Sequence, residues 1–145
     1  MSFRTFQLCL IVAMSVGAAA VAQQPDQPSM PDCAADKSLA DYQSDLKTSP
    51  NSSLAHYCMA ELLLKQRNYQ ASVNAYRDSL RGDGIPYWTK VWSHVQMGKI
   101  FDLTDQRQRA ENQYQLAVEA RDNSGDAVTR ARELLETPFV WPSTQ

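Results

Sequence analysis

Two segments of this 145-residue chain repeat one another at a fixed distance along the sequence. A shift of 38 positions brings His56-x-x-Met59-Ala60-x-x-Leu63 onto His94-x-x-Met97-Gly98-x-x-Phe101. The same shift aligns five residues of the next segment with five later ones: Gln70, Ser72, Asn74, Tyr76 and Leu80 with Gln108, Ala110, Asn112, Tyr114 and Val118. A shift of 34 positions aligns an earlier segment in the same way: Ser38, Tyr42, Leu46 and Lys47 with Ser72, Tyr76, Leu80 and Arg81. Because such periods are typical of stacked supersecondary units, the sequence predicts a repeat protein.

The apolar residues inside these segments follow helical spacing. Val73, Tyr76 and Leu80, for example, are separated by three and four residues, as one face of a helix requires. No segment alternates polar and apolar residues for long, and only 5 Gly and 7 Pro interrupt the chain. We therefore predict an all-α chain with six helices, at about residues 36–47, 53–66, 69–81, 88–103, 106–121 and 126–136.

The layout of the repeats resembles the tetratricopeptide repeat family, whose units are helical hairpins of about 34 residues. That family places small residues where the two helices cross, and this chain has Ala60, Gly98, Ser72, Ala110 and, in a leading half repeat, Ser38. In the second helix of each hairpin an aromatic residue follows four positions after the small residue. Here Tyr42, Tyr76 and Tyr114 follow Ser38, Ser72 and Ala110 in this way. The chain departs from the pattern at Arg67, which replaces the usual Gly of the hairpin turn, and at His56 and His94, which replace large apolar residues. The resemblance covers about residues 36–122 and implies an α-solenoid of about two and a half antiparallel hairpins plus a capping helix.

The first 22 residues have the pattern of a secretory signal peptide. Arg4 precedes an apolar run over residues 6–20, and the small residues Ala20 and Ala22 flank Val21 before Gln23. We expect cleavage after Ala22, with an uncleaved membrane anchor or a cut after Ala20 as alternatives. The chain then divides into a signal peptide at 1–22, a flexible Pro/Gln-rich leader at 23–35, a repeat domain at 36–136 and a C-terminal tail at 137–145. Localisation is predicted to be exported, either periplasmic or secreted.

The second repeat begins four residues later than a period of 34 would place it. The extra residues lie in the segment 82–88, GDGIPYW, where Tyr87, Trp88 and the nearby Trp92 cluster. Two interpretations stay open. The aromatic residues either cover the junction between the repeats or form an exposed lip that binds a partner.

The resemblance also implies a function, because tetratricopeptide proteins mostly bind a partner peptide or helix on the inner surface of their first helices. The corresponding residues here are Leu54, Tyr57, Glu61 and Leu64 from one repeat, and Trp92, Val95, Lys99 and Asp102 from the next. The cationic clamp that some members use for C-terminal carboxylates is absent, since Tyr57, Glu61 and Gln96 occupy much of its place. We expect a non-enzymatic adaptor of the cell envelope that binds a protein through this surface or the 82–88 loop. Alternatives are a small-ligand or peptidoglycan-binding accessory module and, least favoured, an enzyme. Self-association stays open.

Residues with catalytic or metal-binding chemistry are few. A net charge of −2 does not favour nucleic-acid binding, and the sequence contains no phosphate-binding Gly-rich loop and no HExxH or GxSxG motif. His56, His94 and Cys58 do not match a zinc-site spacing and are interpreted as packing residues. The segment 122–126 superficially resembles a calcium loop but has Ala127 where Gly is needed, so it is interpreted as a helix cap. We predict no metal and no cofactor.

Removal of the signal peptide would leave two cysteines, Cys33 and Cys58, in an oxidising compartment. Such a pair favours a disulfide. A first helix running antiparallel to the second would, however, place Cys33 roughly 13 Å from Cys58, whereas a disulfide needs Cα atoms within ~7 Å. The bond therefore requires residues 30–36 to fold back along the hairpin. The alternative is a buried free thiol at Cys58.

Overall fold

The computed structural model describes residues 33–142, and the signal-peptide prediction for 1–22 and most of the predicted leader lie outside this range. Helices make up 71% of the described residues, among which there is no strand, so the all-α prediction is confirmed. The helices are α1 (Leu39–Thr48), α2 (Ser53–Lys65), α3 (Tyr69–Arg81), α4 (Trp88–Leu103), α5 (Arg107–Glu119) and α6 (Ala127–Glu136), with a 3-10 turn at Ser124–Asp126 before α6.

The helices pack as consecutive antiparallel hairpins. The closest pairs are α2 with α3 and α4 with α5, while α1 packs on α2 and α3 packs on α4. The last helix, α6, packs on α5 and also reaches α4. This is the predicted arrangement of a half repeat, two complete hairpins and a capping helix around one core.

Small residues allow the two helices of each hairpin to approach closely. A Cβ atom added to Gly98 on α4 would lie 2.3 Å from the Tyr114 ring of α5, well inside van der Waals contact. In the first hairpin the corresponding residue is Ala60, which is fully buried, and its carbonyl accepts a hydrogen bond of 2.9 Å from the Ser72 hydroxyl. These contacts explain why side-chain size is restricted at the helix crossings.

The turns of the two hairpins have the same backbone conformation. Arg67 and Asp105 are 38 positions apart and have left-handed φ values of 58° and 55°. After each of them an amide donates back to the carbonyl five residues earlier, from Asn68 to Leu63 and from Gln106 to Phe101. This hydrogen bond is typical of a right-handed helix that ends in a residue with left-handed backbone angles. The sequence repeat is therefore a repeat of backbone geometry.

The beginning of the described chain differs from the prediction. The first helix begins at Leu39 and not at residue 36, because Ser38 and Asp41 form a capping box that fixes its N-terminus. A turn precedes it, in which the Lys37 amide donates to the Ala34 carbonyl. The chain folds back there, and Cys33 forms a disulfide with Cys58 at a Cα–Cα distance of 5.4 Å. Of the two alternatives left open by the sequence, the structure therefore has the disulfide with a fold-back and not the free thiol at Cys58. The separation of roughly 13 Å applied to a first helix that continues through this turn.

Candidate binding groove

The eight residues predicted on the first helices lie on α2 and α4, and we call this surface the groove. Leu54 and Glu61 are half-buried. The side chains of the other six are buried: Tyr57, Leu64, Trp92, Val95, Lys99 and Asp102. Much of the groove is therefore covered by other parts of the same chain.

On the α2 side, Glu61 is the centre of a hydrogen-bonded cluster. Its Oε1 accepts from the Tyr76 hydroxyl at 2.5 Å and from the Gln96 amide at 2.7 Å, which connects α2 to both α3 and α4. Burial, together with the nearby Glu61 charge, raises the pKa of Tyr76 well above its ordinary value. The Tyr57 ring packs edge-on against Tyr76 and Trp88, at centroid distances of 5.4 and 5.0 Å. The α2 side of the groove is thus a fixed junction between the repeats.

On the α4 side, Asp102 is an acceptor held from several directions. The Arg107 guanidinium donates to both of its carboxylate oxygens, at 3.1 and 3.2 Å, and the Tyr114 hydroxyl donates to Oδ2 at 2.8 Å. Burial and the Asp102 carboxylate together raise the pKa of Tyr114 well above its ordinary value. Oδ2 also accepts from the backbone N–H of Phe139 at 2.8 Å. Asp102 therefore joins the second hairpin to the C-terminal tail.

Lys99 lies one turn before Asp102 and is only 3% exposed. Its Nζ is 5.9 Å from the Trp92 ring centroid and 5.2 Å from that of Phe139, so two aromatic faces surround the cation. Within residues 33–142, no hydrogen-bond acceptor or ion-pair partner contacts this nitrogen. Burial lowers the pKa of the amine to about 8, and this shift is opposed by Glu61 and increased by Arg130.

The C-terminal part of the chain covers the α4 side of the groove, which the sequence did not predict. The Trp92 indole N–H donates to the Ser124 carbonyl in the 3-10 turn before α6. Beyond α6, Phe139 contacts Lys99 and Asp102, and the Trp141 indole N–H donates to the Tyr69 hydroxyl at 3.2 Å. The one sequence feature that could have indicated this packing is the Phe139-Val140-Trp141 triplet, because two aromatic residues are unusual in an exposed tail.

The 82–88 loop combines features of both interpretations made from the sequence. Trp88 is half-buried and packs on Tyr57, as a residue that covers the junction would. Ile85 and Tyr87 are 65% and 85% exposed, as binding residues of a lip would be. The loop is anchored to α2, because the Asp83 carboxylate accepts from the backbone N–H of Ser53 at 3.1 Å.

The residues considered as metal ligands have other partners. His56 Nε2 lies 2.9 Å from the Pro50 carbonyl and His94 Nδ1 lies 2.9 Å from Gln113 Oε1, while Cys58 is in the disulfide. Residues 33–142 contain no group of three or more His, Cys, Asp or Glu side chains placed to hold a metal ion. In the segment compared with a calcium loop, Asn123 accepts from the first amides of α6, Val128 and Thr129, which is the predicted capping role.

In comparisons with known proteins, no family model, no curated protein and no solved structure matches this chain significantly. The fold and the groove define a class, a short stack of helical hairpins with a covered inner surface. None of the helices described between residues 33 and 142 is long and apolar enough to cross a membrane.

Proposed function

We propose that this chain is an exported, non-enzymatic adaptor of the cell envelope, built from tetratricopeptide-type repeats, that binds a segment of a partner protein. Binding would use the groove or the 82–88 loop. The observation that carries the proposal is the tail on α4, where Asp102 and Lys99 hold Phe139 through a backbone hydrogen bond and a ring contact. A surface that holds one non-helical segment in this way has the chemistry to hold a partner's segment.

Export is supported by the signal-like N-terminus and by the Cys33–Cys58 disulfide, which fits an oxidising environment. N-terminal sequencing of the protein purified from its own host tests this part of the proposal. We expect the mature chain to begin at Gln23. Recovery of the chain from the cytoplasm with Met1 intact would contradict export.

Partner binding is tested by affinity capture from envelope extract, using the chain expressed in its own host with a tag after Gln145. Two variants address the two surfaces: Leu54→Ser in the groove and Tyr87→Ala in the loop. The control is Gln115→Ala, on an exposed position of α5. We expect one specific protein to be recovered with the wild type and the control and to be lost with one of the two variants.

Each captured protein is then purified and its binding to the four chains is measured directly. Thermal melts of the variants exclude loss of folding as the cause of lost binding. Equal recovery with all four chains would show that neither Leu54 nor Tyr87 contributes to partner binding. Binding of peptidoglycan fragments or a soluble small molecule, with no protein partner, would favour the accessory-module alternative.

A further inference from the structure

The tail contacts the α4 side of the groove and the start of α3 through three separate interactions. The Phe139 amide donates to Asp102 Oδ2 at 2.8 Å, and the Phe139 ring lies 5.2 Å from the Lys99 ammonium. Two residues further on, the Trp141 indole donates to the Tyr69 hydroxyl at 3.2 Å. The two tail rings also pack edge-on against each other, at a centroid distance of 5.7 Å. The contacts are therefore made by two aromatic residues of the tail, and the residue between them makes none of these contacts.

The groove side of these contacts is fixed independently of the tail. Asp102 keeps its orientation through Arg107 and Tyr114, and Lys99 faces Trp92 on its own helix. Lys99 has no anionic partner at ion-pair distance within the described residues, so aromatic faces provide its close contacts. A buried cation in this state favours a ligand that brings an aromatic ring.

On the tail side, Phe139 is partly buried against the core, whereas the residues after it are more exposed. Trp141 is 37% exposed and Val140 is 73% exposed, so neither side chain is part of the core. Pro138 and Pro142 flank the triplet and have no N–H to donate. Thr137 and Trp141 precede these prolines, which favours extended backbone, and Thr137 has that conformation.

We propose that Tyr69, Lys99 and Asp102 form a recognition site for an extended segment with two aromatic residues separated by one residue, and that Phe139-Val140-Trp141 occupies it as a displaceable internal ligand. The proposal rests on the proposed function and specifies the partner: a segment of another protein that presents aromatic-x-aromatic with a free N–H on the first aromatic residue. The middle residue is unrestricted, because Val140 faces solvent.

A second copy of this chain is a poorer source of that segment. Only two residues, Thr137 and Pro138, separate the end of α6 from Phe139, and they span roughly 7 Å when extended. The tail of one copy could reach the groove of another only if the two chains were in close contact or if α6 left its place. Ala131 and Leu134 hold α6 in the core of its own chain.

The test measures binding of a labelled peptide with the tail sequence TPFVWPSTQ by fluorescence anisotropy. It uses the full chain as wild type and as the Phe139→Ala/Trp141→Ala double variant, in which the internal ligand is removed. We expect the double variant to bind the peptide at least tenfold more tightly than the wild type. A peptide with Ala in place of both aromatic residues should bind neither chain. Adding Tyr69→Phe to the double variant should weaken binding severalfold, since the acceptor for the indole N–H is lost.

Two further chains keep the test interpretable. Gln115→Ala changes an exposed residue of α5 that makes no tail contact and should bind the peptide as weakly as the wild type. Trp141→Ala alone is a milder variant and should give an intermediate affinity even if the double variant is unstable. Equal affinity of the wild type and both tail variants, all shown to be folded by circular dichroism, would overturn the proposal. So would a wild-type dimer in sedimentation that is lost in the double variant, because it would show exchange of tails between copies.

The peptide measurement uses no cellular partner, so it can fail while a captured protein still binds through the loop. Conversely, peptide binding without any captured protein would support the proposed recognition site and contradict the proposed adaptor function.

Discussion

Single residues in this fold have roles that depend on distant parts of the chain. Lys99 was predicted as an exposed contact of the groove, yet it is buried between the rings of Trp92 and Phe139. The repeat resemblance placed it among the partner-binding residues of the first helices. Its burial depends on Phe139, 40 positions later in a segment without periodic structure, and no local pattern reports such a contact.

The pKa of Lys99 leads to a pH-dependent stability. Because it is lowered from 10.5 to about 8, the unfolded chain holds more protons than the folded chain between these values. The free energy of unfolding should therefore rise with pH across this window, by about 2 kcal/mol between pH 7.5 and 9.5. Above pH 10 the raised pKa values of Tyr57, Tyr76 and Tyr114 act in the opposite direction.

Urea denaturation across this pH range, on the wild type and Lys99→Met, measures the effect. The variant should lack the rise and be more stable at pH 7 by about 1–3 kcal/mol, since no buried charge remains. Lys47→Met removes an exposed lysine and serves as the control with an unchanged profile. Parallel profiles for the wild type and Lys99→Met would contradict this account.

At the scale of elements, the sequence predicted most of the fold. Helices α3 and α4 have the predicted bounds, and α2, α5 and α6 differ by one or two residues, because apolar spacing and turn residues report helices locally. The start of α1 was placed three residues too early, since Asp36 and Lys37 are compatible with a helix and only the Ser38–Asp41 capping box excludes them. The fold-back of Cys33 and the position of the tail depend on contacts between residues far apart in the sequence. The spacing of apolar residues carries no information about such contacts.

The hairpin turns provide a prediction at this scale. Arg67 and Asp105 are in the left-handed region, where a side chain is strained and Gly is not. Replacing either with Gly should raise the free energy of unfolding by about 0.5–1 kcal/mol, after allowance for the greater freedom of Gly in the unfolded chain. Thermal and urea denaturation measure the gain.

Arg67→Ala is the matched control, because it removes the long side chain and keeps the Cβ atom. The alanine variant should show no gain. If glycine and alanine variants had equal stability, backbone strain would not be the cause.

At the scale of the whole molecule, segments outside the two complete hairpins are attached near both ends of the helical stack. Repeat proteins need terminal units that protect their end surfaces. Here the disulfide attaches the segment before α1 to α2, and α6 packs on α5 at the other end. We therefore expect the terminal segments to contribute to the stability of the two hairpins.

Loss of the disulfide should lower the free energy of unfolding by roughly 3.5 kcal/mol, the value expected for closing a loop of this length in the unfolded chain. The cysteines are 25 residues apart, and Cys58 is buried. Urea denaturation of Cys33→Ser tests this expectation. A reducing agent should destabilise the wild type equally and leave Cys33→Ser unchanged; equal stability of the wild type and the variant would show that the bond does not contribute.

The short connection between α6 and Phe139 sets the conditions under which a partner could enter the groove. A segment attached this closely acts at an effective concentration on the order of millimolar. A free segment with the same intrinsic affinity would therefore have to reach a similar concentration before it occupied half of the molecules. If the tail is the internal ligand proposed above, it would set a threshold concentration. Dilute aromatic segments of unrelated proteins would stay unbound, and only partners that bind more tightly or are densely arrayed would displace the tail.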